Sequence, residues 1–225
     1  MPRDIVATRQ TRFDPKIHGF RFTNTQILWR WMAFSGRYLC GGMAFASLDH
    51  FKHGVPIPQD PTPPPPRTPL NDYLTTRQVD AHRFAGPALV GRATVPAEHA
   101  FRRGLRTEDD FGTVVRRIDV GEPIPILLVG VNRAFSPDET HWVVAIGYEM
   151  DEAAPDYGGR HCGRLLLYDS NQPGVTTSLW PDFRQQCFQT LPGHTRYRSY
   201  CPHEGFRTHN PRHGQPGTQW SQVRI

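Results

Sequence analysis

Hydrophobic and polar positions repeat in two rhythms along this chain of 225 residues, and the change of rhythm separates helices from strands. From position 40, Met43, Ala44, Leu48 and Phe51 recur at helical spacing, which predicts a helix over 40–53. Lys52 and His53 sit where cations suit the C-terminal end of a helix dipole, and Gly54 is a natural stop. A second helix is expected over 71–84, with Tyr73, Leu74, Val79 and Phe84 as its inner face. A third is expected behind Thr107, which with Asp110 forms an acidic capping box. Phe111, Val114, Val115 and Ile118 are its apolar stripe, and Gly121 closes it.

The period then shortens. Residues 123–131 read as a buried strand, followed by strand-like runs over 142–150 and 164–169. The polar, Gly-rich stretch between those two runs, 151–163, predicts an antiparallel hairpin with a long tip. Residues 1–25 read as an extended arm with a short strand around Phe20 and Phe22. Residues 25–34 are dense in apolar side chains and predict a buried turn or short helix. Residues 85–106 are weakly patterned, and one more strand is expected near 197–207. The class is α+β: a single domain over 1–212 with an insertion at 55–106, and a disordered tail over 213–225.

Composition sharpens three points. The chain holds 20 Gly and 22 Pro, and eight of the prolines lie in 55–69, a stretch that can be neither helix nor central strand. It reads as a polyproline II connector. The net charge is +5, carried mostly by Arg; with no nucleic-acid motif present, a soluble protein of high pI is expected rather than a nucleic-acid binder. Residues 1–12 show no apolar core of a signal peptide, and no run is long enough for a membrane span. The expected location is the cytoplasm, or export by a specialised system without such a peptide. On that ground Cys40, Cys162, Cys187 and Cys201 are expected as thiols.

Candidate chemistry centres on Cys40, which opens the first helix and is followed by Gly41 and Gly42. The positive end of a helix dipole favours a thiolate, and two residues without Cβ are expected to leave room for a substrate. His141 starts one predicted strand and Asp169 ends the next. An antiparallel hairpin brings such ends together, so a nucleophile, a base and an orienter can meet. The plainer readings are a small buried Cys, a strand-capping His, and an Asp serving the turn Asp-Ser-Asn-Gln-Pro-Gly. Asn171 is the alternative orienter. Cys201, His203, His209 and His213 match no standard zinc spacing, and no metal or other cofactor is expected.

With these residues the chain resembles the papain-like cysteine peptidases, closest to the bacterial branch that processes bacteriocin leaders. The matching features are Cys40-Gly41, the helix–Gly–Pro–strand run over 111–129, His141-Trp142-Val143-Val144 with Gly147-Tyr148, and Tyr168-Asp169. The resemblance implies an N-terminal helix carrying the Cys, packed on an antiparallel sheet carrying His and Asp. It implies hydrolysis of a peptide or protein substrate, with Cys40 as nucleophile, His141 as base then acid, and Asp169 as orienter. The family generally places a Gln about six residues before the Cys. Position 34 is Phe, so Asn24 and Gln26 are the candidate oxyanion donors. Acyl transfer or glutamine deamidation by an effector on the same triad is the alternative, and a binding module with a dead site is the rival from another class.

Overall fold

The computed structural model describes residues 5–24, 39–106, 108–131, 140–151 and 163–214. In chain order it has β1 (Ile5–Gln10), α1 (Pro15–His18), α2 (Cys40–His53), α3 (Pro69–Ala93), α4 (Ala97–Arg103) and α5 (Asp110–Asp119). Then follow β2 (Ile124–Gly130), β3 (Thr140–Asp151), β4 (Arg164–Tyr168), β5 (Thr176–Asp182), β6 (Cys187–Leu191) and β7 (Arg196–Pro202), with a short 3-10 turn at Pro211–Gly214. The chain is therefore α+β with an antiparallel sheet.

Every strand pairing is antiparallel. Strand β3 pairs with β2 and also with β4, so the order β3-β2-β7-β6-β5-β4 closes on itself, and β1 adds to the later part of β3. Closure leaves few free edges. The two faces follow the alternation of side chains along each strand. Ile126, Leu128, Val143, Ala145, Leu165 and Leu167 join a core with α5 residues Phe111, Val114, Val115 and Ile118. Their neighbours Leu127, Val129, Trp142, Val144, Ile146, Leu166 and Tyr168 face the opposite way, onto Cys40, Ala44, Phe45 and Leu48 of α2 and Ala81 and Ala85 of α3.

Helix α2 matches the predicted span and is buried from Cys40 to His50. It needs no polar face, because the sheet covers one side and a second cluster covers the other. That cluster joins Met43 and Ala46 to Phe20, Phe22, Leu39, Ile57, Tyr73 and Leu74. The helix stops at Gly54, whose φ of 60° is the left-handed value glycine adopts without strain.

Helix α3 starts with Thr68, whose hydroxyl accepts the Asn71 N–H, and runs well beyond the expected 71–84, through Pro87 to Ala93. Proline removes one helical hydrogen bond there. Ala85, Ala88 and Leu89, packed on the α2–sheet core, hold the extension in place. The stretch 55–68 is free of helix and strand, as expected from its prolines. The rest of the expected insertion is part of the body, with α3 against α2 and α4 against β7.

Other expectations need correction. Phe20 and Phe22 are buried but form no strand; the N-terminal strand is β1. The N-cap position of α5 is Asp109, with no side-chain capping bond; Thr107 and the segment 25–34 lie outside the described residues. The strand expected over 197–207 is β7 and ends at Pro202. Residues 203–212 fold back over the helices, where the Arg207 carbonyl accepts from Arg77 and the His209 N–H donates to Asp49. Most of the expected disordered tail, 215–225, lies outside the described residues. Among the described residues no helix is long and apolar enough to cross a membrane.

Candidate active site

Cys40 is the first residue of α2, so its sulfur lies among N–H groups that have no carbonyl one turn earlier. The N–H groups of Gly41 and Trp142 both donate to that sulfur. Trp142 is placed for this by its own packing, its indole edge-on to Phe45 of α2 with ring centroids 5.1 Å apart. The next N–H, of Gly42, donates to Gln78 Oε1 of α3 at 2.7 Å, and that of Leu39 donates to Asn24 Oδ1 at 2.9 Å. Two buried amide side chains thus do what a capping Ser or Asp would do.

The glycines after Cys40 have a different role from the one expected. A Cβ on Gly42 would stand 2.2 Å from the Leu74 carbonyl oxygen, and one on Gly41 would stand 2.5 Å from Ala81 Cβ and 2.9 Å from the Trp142 ring. Gly41 and Gly42 let α3 and Trp142 close onto the start of α2. They do not open a path to the sulfur.

His141 and Asp169 meet through sheet register. Val144 pairs with Tyr168, so the chain leaving β4 runs toward the start of β3. His141 Nε2 lies 2.7 Å from Asp169 Oδ1. The same oxygen accepts the Asn171 N–H at 2.8 Å. The Cys40 thiol lies close enough to the other face of His141 for each group to shift the other's ionisation, and with Nε2 turned to Asp169 the ring nitrogen left for that face is Nδ1. Cys40, His141 and Asp169 are all buried, at 7%, 7% and 6% exposure.

Burial alone pushes the Cys40 thiol up, but the His141 hydrogen bond and charge, with the N–H groups of Trp142 and Gly41, bring it below the ordinary thiol value. Burial lowers His141, yet the Asp169 carboxylate and Cys40 raise it well above the usual imidazole range. Asp169 is raised by burial and lowered more by His141 and the Asn171 N–H. Each shift favours a thiolate–imidazolium–carboxylate row.

Asn171 stands beside this row, Nδ2 at 3.3 Å from His141 Nε2. Asp169, closer and charged, is the direct partner of the ring. Asn24 reaches the site but its amide is engaged: Nδ2 donates to Asn171 Oδ1 at 3.2 Å. Gln26 lies outside the described residues. Sequence reasoning missed Gln78 and the Asn24–Asn171 contact. The first sits 36 residues from its partner and the second spans 147, so no local spacing announces either.

Of the tail residues considered as metal ligands, His203 stacks on Phe84 with centroids 3.9 Å apart and His209 lies 3.8 Å from Asp80. Among the described residues no group of three or more His, Cys, Asp or Glu could hold a metal ion. In comparisons with known proteins, no family model, no curated protein and no solved structure matches this chain.

Proposed function

We propose that the protein is a papain-like cysteine peptidase or amidase acting through Cys40, His141 and Asp169. The observation that carries this reading is the buried row in which His141 bonds Asp169 on one side and faces Cys40 on the other, with the thiol lowered and the imidazole raised. The placement of the Cys on a helix start, of His on an antiparallel strand and of Asp just past the end of its neighbour supports it as well. The Cys40 thiolate attacks the carbonyl carbon of an amide. The oxyanion that forms is met by the Cys40 N–H at the helix start. As the C–N bond breaks, His141 passes its proton to the leaving amine, and a thioester to Cys40 remains. Water then attacks the thioester, His141 takes its proton, and the acid leaves as the thiolate returns beside the protonated imidazole. Asp169 keeps the ring oriented and offsets its charge throughout.

The test is digestion of a mixed peptide library, read by mass spectrometry for new termini, with released ammonia assayed in parallel. Cleaved peptides from the wild type and none from Cys40→Ala are expected. Ammonia without cleavage would move the reading to deamidation, and identical product patterns from both proteins would overturn it.

A further inference from the structure

We propose that Asn24 and Asn171 form a positioning relay between the start of α2 and the carboxylate behind the base. It holds the turn that carries Asp169 against the helix start, so that the carboxylate stays on His141 Nε2 and the ring keeps its other face toward Cys40. This rests on the proposed function for its catalytic meaning, though not for its geometry.

The orientation of both amides follows from one fixed donor. The Leu39 backbone N–H can only donate, so the Asn24 atom 2.9 Å away is the oxygen. Asn24 then presents Nδ2 to Asn171, whose facing atom must be its oxygen, at 3.2 Å. Asn171 is left with Nδ2 toward His141 Nε2, at 3.3 Å. A donor cannot take the Nε2 proton, so the acceptor for that proton is Asp169 at 2.7 Å, and Asn171 touches the ring without a hydrogen bond to it; its bond to the site is the backbone one to Asp169. Backbone bonds hold the relay at each end: the Asn24 N–H donates to the Ser170 carbonyl, and the Asn171 N–H to Asp169 Oδ1. Asn24 is 7% exposed, so water does not compete freely for its amide. The residue before the nucleophile and the carboxylate behind the base are thereby tied through two side chains.

Among the described residues, the other titratable groups acting on the row are phenols. Tyr197 of β7 senses His141, Asp169 and Cys40, and Tyr168 at the end of β4 senses Asp169. Burial pushes both up, to about 12 for Tyr168.

The test is the rate of iodoacetamide alkylation of the Cys40-containing peptide against pH, followed by mass spectrometry, which needs no substrate. In the wild type the rate should persist well below the ordinary thiol pKa of about 8.5. Asn24→Ala and Asn171→Ala should each move the onset upward, slowing alkylation near pH 6 by about tenfold, the effect of one pKa unit. The double variant should be no worse than the more severe single one, because both residues serve one chain of contacts. Unchanged onsets, or shifts that add in the double variant, would overturn the relay. Where Asn24→Ala does not fold, Asn171→Ala, in an exposed turn, decides alone by its onset. Shifted onsets in a protein that cleaves no peptide would keep the relay and remove the hydrolase. A wild-type thiol that titrates near its ordinary value would remove both.

Discussion

Arg77 of α3 and Asp49 of α2 form an ion pair that solvent does not reach, with Nε 2.8 Å from Oδ2 and the two side chains 2% and 0% exposed. The Nε contact is one of charge rather than an aligned hydrogen bond; the aligned bond runs from the other end of the guanidinium to Oδ1 at 3.2 Å. Tyr73 and the His209 N–H donate to the same carboxylate, and Arg77 also holds the Arg207 carbonyl. The pair therefore joins both helices to the segment that folds over them. Removing Asp49 leaves the buried guanidinium with Asp80, 2.7 Å from its Nη1, as its remaining carboxylate. Asp49→Ala should cost about 3 kcal/mol in urea unfolding, the low end for a broken buried pair, and Asp49→Leu with Arg77→Met should cost less than Asp49→Ala alone. A double variant as unstable as the single one would contradict this.

Cys40→Ala should abolish turnover, by on the order of 10⁴ or more, since the covalent partner is gone. Asp169→Asn should do less, because an amide oxygen still accepts from His141 without offsetting its charge. Cys40 is packed in the α2–sheet core, so Cys40→Ala should also cost about 1 kcal/mol from the lost sulfur volume. Rates on one accepted peptide and a thermal melt for each variant check the ranking.

The pH dependence follows from the opposite shifts of Cys40 and His141. A lowered thiol is ionised once pH exceeds its folded value, so reactivity appears on the alkaline side of that value and below about 8.5. A raised imidazole stays protonated until pH passes its own folded value, so the ion pair spans the interval between the two. Peptide hydrolysis should rise on the acid limb with the Cys40 titration and fall on the alkaline limb with that of His141. Asp169→Ala should move the alkaline limb to lower pH, because the carboxylate is what holds the imidazole up. An alkaline limb that stays in place would exclude Asp169 as its cause.

Gly42→Ala should destabilise the protein by about 1–3 kcal/mol and reduce activity, as the new methyl would press on the Leu74 backbone and move α3 from the helix start. Gly91→Ala is the control: it lies inside α3 with nothing within 4 Å of a Cβ and no proline after it, and should stabilise by about 0.5–1 kcal/mol. Equal effects at the two positions would refute the close-packing role of Gly42.

Local pattern was enough for the elements whose signal is strong within one turn or one pleat. The stripe Phe111, Val114, Val115 and Ile118 could only be an amphipathic helix, and α5 buries all four. The run before Gly54 could only be a helix ending there, and the apolar segments of β2, β3 and β4 were legible with their hairpin. The hairpin alone places Asp169 beside His141, so that pairing was readable from order along the chain.

Tertiary structure decided the rest, because the deciding partners are distant in sequence. Strands β5 and β6 carry too many polar residues to declare themselves, and they exist because pairing from β4 around to β7 satisfies their backbone groups. Helix α3 runs through Pro87 because packing by Ala85, Ala88 and Leu89 outweighs a local breaker. Gly41 and Gly42 read as access for a substrate until α3 was seen pressed against them. The amides that complete the site, Gln78, Asn24 and Asn171, have ordinary sequence surroundings. Their roles come from long-range hydrogen bonds, buried at Gln78 and Asn24 and at the exposed rim for Asn171, which no periodicity along the chain encodes.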